Sequence, residues 1–162
     1  MDFGRLNTGE RISSVSAILL FTFMFLDWFS VKGSNNSNLL FLIESTRPAE
    51  SAWEALSYIP FVFLVTVGVT LVVSALRLMP EAQLPVRTNA MVAILGIASA
   101  LLILFRIVDP PTFEAEGLIT YETTVLFPTF LALSAAVGIA FGGFWATREE
   151  GLSQAPLSSS PY

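Results

Sequence analysis

"FMFLDWFSVKGSNN", residues 23–36, carries an apolar run into a polar loop, with a carboxylate, Asp27, just before the run ends. If residues 12–31 form one helix, about 20 mostly apolar residues are long enough to cross a bilayer. Asp27 then lies a turn short of its outer boundary. Whether this stretch continues as helix decides how many times the chain crosses a membrane, and what Asp27 can meet there.

The rest of the chain repeats the pattern. Apolar runs recur at 58–79, 89–108 and 125–146, each at spanning length and nearly free of charge, with Arg77 and Arg106 close to the ends of theirs. Val, Ile and Phe also favour strands, but these runs are twice the length of a barrel strand and lack its alternation. A backbone in lipid must satisfy its own hydrogen bonds, so helices are expected. Pro60 and Pro128 fall in first turns, and Pro80, Pro110 and Pro111 just past helix ends, as proline geometry requires. The expectation is an all-α, polytopic membrane protein: a four-transmembrane-helix bundle over 1–147, with 148–162 as a disordered cytoplasmic tail.

Composition agrees. Of the 162 residues, 54% are hydrophobic and 13% charged, with a mean hydropathy of +0.70. A soluble domain of this length carries more polar surface. No cysteine or histidine is present, which removes disulfides, thiol nucleophiles, imidazole bases and the usual zinc sites. The net charge of −5 argues against nucleic acid, which rewards clustered Lys and Arg. The N-terminal "MDFGRLNTGER" lacks the form of a cleaved signal, so the first run reads as an uncleaved span.

Arginine sets the orientation. Arg5, Arg11, Arg77, Arg87 and Arg148 lie on one side, against Lys32, Arg47 and Arg106 on the other. The positive-inside rule puts both termini in the cytoplasm. Trp28, Trp53, Tyr58 and Tyr121 would mark the outer interface and Trp145 the inner one. Asp27, Glu44, Glu50, Glu54, Asp109, Glu114, Glu116 and Glu122 all fall outside, giving an acidic external face able to attract cations. The stretch "PAESAWEALSYIP", residues 48–60, reads as a short external amphipathic helix before the second span, with Ala52, Trp53 and Leu56 against the membrane surface.

No nucleophile elbow, phosphate loop, zinc helix or dinucleotide fingerprint occurs, so no catalytic residue, cofactor or metal site is assigned. The spans carry small-residue seams instead. Ser134, Gly138 and Gly142 recur every four residues in the fourth span, and Thr66, Thr70 and Ser74 in the second. Gly96 and Ala100, flanked by Ser99, do so in the third. Such seams let helix backbones approach closely, within one bundle or toward a second copy or another membrane subunit. Asp27 and Arg106 sit at similar depth, each on a candidate interior face. A structural ion pair between them, pinning the first span to the third, is expected; Asp109 and Glu122 are the competing partners for Arg106.

"FLDWFSV", "SAWEAL", "FRIVDPP" and "AAVGIAFGGFWA" together resemble a group of small, uncharacterised four-span membrane proteins of actinobacteria. The resemblance implies a bundle fold in the plasma membrane and supplies no catalytic residues. In span order the chain is also similar to claudin-like tetraspan proteins, whose paired cysteines it lacks. The functional expectation is a non-catalytic accessory or scaffold subunit working by helix packing. The alternative is a small transporter or channel component, or a lipid- or cation-binding membrane protein. Mid-span charges and broken helices, which transport generally needs, are missing from the four runs.

Overall fold

The computed structural model describes residues 6–33, 50–56, 58–79, 87–110, 114–115 and 119–153. In order these form α1 (Thr8–Phe23), β1 (Asp27–Gly33), β2 (Glu50–Ser51), α2 (Ala52–Ala55) and α3 (Ile59–Arg77). There follow α4 (Arg87–Val108), β3 (Glu114–Ala115), β4 (Ile119–Val125) and α5 (Phe127–Ser153). Three helices, α3, α4 and α5, are long and apolar enough to cross a membrane.

Each long helix packs on two others: α5 on α1 and α4, and α3 on the same two. The interior is lined by Ala17, Leu20, Phe63, Val67, Val92, Ile103, Ala132, Ala136 and Ile139, all buried. Side chains such as Ile18, Val65, Ile94, Leu101 and Phe141 stand exposed on the outer faces. A surface this apolar suits hydrocarbon rather than water.

The opening stretch departs from the all-α expectation. Helix α1 ends at Phe23, and the chain winds one further turn through hydrogen bonds from Phe25 N–H to Thr22 and from Leu26 N–H to Phe23. It then becomes strand at Asp27. A four-stranded sheet in the order β2-β1-β4-β3 caps this end of the helices. β1 pairs antiparallel with β4, Phe29 opposite Val125 and Lys32 opposite Glu122, and β3 and β4 form a hairpin. The cause is composition. "DWFSVKG" and "ITYETTV" are rich in the β-branched and aromatic residues that suit a pleated sheet, and the pairing satisfies backbone groups of both loops at once.

The segment before α3 also differs from an interfacial helix. It contributes the two strand residues of β2, then a single turn, α2, in which Glu54 accepts a hydrogen bond from Ser51 N–H at 3.2 Å. Ala52, Ala55 and Leu56 are buried and Trp53 half-buried, so the turn packs against the core. Trp28 is likewise buried, not an interfacial anchor. At the other end α5 stays helical to Ser153, seven residues past the apolar run and into the segment expected to be disordered. Residues 154–162 lie outside the described part.

Candidate functional site

The most concentrated chemistry lies at the end of the helices opposite the sheet. Helix α5 leads there. Its row Gly138, Gly142, Ala146 and Glu150 advances in steps of four. At 3.6 residues per turn such a row precesses by about 40° per step, which leaves Ser134 exposed and turns the later members inward. A Cβ on Gly142 would come within 2.6 Å of the Gly9 carbonyl oxygen and the Ser13 nitrogen. Gly9, in turn, has no room for a side chain against Gly142 and Ala146. Two backbones in direct contact bring the next residues, Glu10 on α1 and Glu150 on α5, into one site.

Helix α3 supplies the cation. Arg77 follows the Thr66, Thr70 and Ser74 row, and its Nε lies 3.0 Å from Glu10 Oε1 while its Nη2 meets Glu150 Oε1. Helix α4 completes the group. Its Asn89 amide donates to Glu150 Oε1 at 3.0 Å and reaches Glu10 Oε1 at 3.5 Å. Glu10 and Asn89 are each 2% exposed and Glu150 9%. The site thus takes one side chain from each long helix. It holds two carboxylates, one guanidinium and one neutral amide. Glu150 Oε2 is buried without a hydrogen-bond partner among the described residues.

The group sits just beyond the apolar segments. Glu10 precedes the run that starts at Ile12, and Glu150 follows the run that ends at Ala146. There, burial pushes the Glu150 carboxyl above its ordinary value of 4.5. The attraction and hydrogen bond of Arg77 oppose the rise, and the neighbouring charge of Glu10 adds to it. Arg11 has its own interaction, and Glu149 accepts from Gly9 N–H at 3.5 Å and from the Trp145 indole at 3.0 Å.

The seam residues otherwise make close contacts between helices. Gly138 faces Ser16 of α1, and Gly96 of α4 faces the Ala140 backbone of α5. Thr66 and Ser99 share a hydrogen bond of 2.9 Å between α3 and α4, and the Ser14 and Ser74 hydroxyls lie 2.7 Å apart between α1 and α3. The Thr70 hydroxyl donates a hydrogen bond to the Thr66 carbonyl, and Ala100 packs against the core.

Asp27 and Arg106 are not brought together. Asp27, past the end of α1, is an exposed strand residue opposite Ser51. Arg106 is half-buried on α4, with its Nε unpartnered among the described residues. No salt bridge joins the two among the described residues. Of the acidic loop residues, Glu44 and Glu116 lie outside the described residues. Among the described residues no cluster of three or more His, Cys, Asp or Glu is placed to hold a metal.

The cluster at Arg77 escaped the sequence reading because its members look like ordinary flanking charges. The available signal was register: Glu150 continues the glycine row by fours, and Arg77 lies three residues after Ser74. No protein-family model, no curated protein and no solved structure matches the chain.

Proposed function

We propose that this is a non-catalytic integral membrane protein that crosses the plasma membrane four times with both chain ends cytoplasmic. It serves as an accessory or scaffold subunit, packing its outer helix faces against another membrane protein or a second copy. The observation that carries this is how polarity is distributed. The interior hydroxyls of Ser14, Thr66, Thr70, Ser74 and Ser99 engage one another and the helix backbones, while the outer surface offers large apolar side chains. Buried polar groups that satisfy each other lock helices together. A carrier would need such groups turned toward a solute.

The fourth crossing rests on α1. Its 16 residues span about 24 Å, and the apolar part from Ile12 through the further turn to Leu26 covers about 22 Å, which a locally thinned bilayer accommodates. The sheet forms from the segments that follow α1 and α4, and the arginine bias places that end outside.

Native mass measurement of the protein extracted in lipid nanodiscs tests the role. A stable homo-oligomer, or a reproducible complex with one membrane partner, is expected. A lone monomer that moves ions or solutes when reconstituted in liposomes overturns it in favour of transport.

A further inference from the structure

Charge at the inner cluster does not balance. Glu10 and Glu150 bring two negative charges to the single positive charge of Arg77, and Asn89 is neutral. Three of the four residues are at least nine-tenths buried. A surplus charge in a site this dry is costly unless it is neutralised. The polar contacts also converge unevenly. Arg77 and Asn89 both address the Oε1 atoms of the two carboxylates, leaving Glu150 Oε2 enclosed without a partner among the described residues.

We propose that the Glu10–Arg77–Asn89–Glu150 cluster is a proton-binding site, with the proton on Glu150, through which pH on the inner side sets how firmly the four helix ends are held. Protonation leaves one carboxylate for one guanidinium. Loss of the proton restores two like charges around Arg77 and loosens α5 from α1. A metal cation fits the same oxygens poorly, because Arg77 already fills the space between them and repels it.

The groups facing Glu150 come from every helix packed there: Glu10 from α1, Arg77 from α3 and Asn89 from α4. On α5 itself, Glu149 is engaged with Gly9 and Trp145, and Arg148 is exposed. The direction follows from the raised Glu150 carboxyl. The folded state holds the proton more readily than the unfolded chain. The stabilisation is therefore complete below about pH 4.5 and is lost as pH rises through the folded-state value.

The experiment is thermal unfolding of the full chain in nanodiscs between about pH 5 and about pH 8, for the wild type, Glu150→Gln and Glu149→Gln. The melting temperature of the wild type should fall as pH rises. Glu150→Gln should lose that slope, and Glu149→Gln should keep it. A wild type without the slope, or a Glu150→Gln variant that retains it, overturns the proposal. Should Glu150→Gln fail to fold, difference infrared spectroscopy of the wild type decides. A protonated-carboxyl band that bleaches on raising pH above that of a free glutamate supports the site, and the lack of such a band overturns it.

Discussion

The hydroxyl of Thr129 donates to the main-chain carbonyl of Trp28 at 3.0 Å, across 101 residues of sequence. The Leu126 N–H reaches the same carbonyl at 2.8 Å, and the Trp28 indole donates to the Phe23 carbonyl at 2.8 Å. One residue, from within β1, therefore closes the last turn of α1 and opens α5. Its ring packs on Phe63 of α3, with centroids 5.9 Å apart. Trp28→Ala should cost about 3–5 kcal/mol by loss of packing alone. Thr129→Val should cost about 1 kcal/mol, since Leu126 still satisfies the carbonyl. Equilibrium unfolding in mild detergent checks both, and equal losses would contradict the arrangement.

The helical glycines separate into two kinds. A Cβ at Gly142 meets backbone atoms of α1, and one at Gly96 meets the backbone of α5, whereas one at Gly68 on α3 meets nothing within 4 Å. Gly142→Ala and Gly96→Ala should destabilise the protein, by about 1–3 kcal/mol each through overpacking. Gly142→Leu should be worse. Gly68→Ala should be stabilising by about 0.5–1 kcal/mol through helix propensity. Melting temperatures of the three alanine variants test the sign at each position.

Arg77 and the two carboxylates form the other fastening. Removing the guanidinium leaves the buried Glu10 carboxylate without its cation, so Arg77→Gln should cost about 3–5 kcal/mol. Adding Glu10→Gln and Glu150→Gln to it should recover part of that loss. A double-mutant cycle between Arg77 and Glu10 should show coupling. The same cycle between Asp27 and Arg106 should be additive to within about 0.3–0.5 kcal/mol. Coupling in the second pair would contradict the placement of Asp27 on the strand.

Much of this architecture is legible in the apolar runs. Helix α3 occupies 59–77 where the sequence suggests 58–79, and α4 occupies 87–108 against 89–108. The failure at "FLDWFSV" has a physical cause. A continuous apolar stretch has no period that separates a buried strand from a buried helix, and the partner that makes it a strand, "ITYETTV", lies about 90 residues away. That partner's β-branched content was the cue. Small-residue spacing indicated close helix approach, but not which neighbour each glycine meets. The Arg77 cluster is assembled from four separate helix ends, and no local pattern states which flanking charges converge.

The number of crossings is the central claim, and the chain contains no cysteine, so single introduced thiols report without background. Asp2→Cys, Ser34→Cys, Thr120→Cys and Ser158→Cys would be labelled with a membrane-impermeant maleimide in intact cells. Four crossings predict that Ser34→Cys and Thr120→Cys react from outside, while Asp2→Cys and Ser158→Cys react only after permeabilisation. Reaction of Asp2→Cys on the same side as Ser34→Cys would mean that α1 does not cross, and would contradict the account.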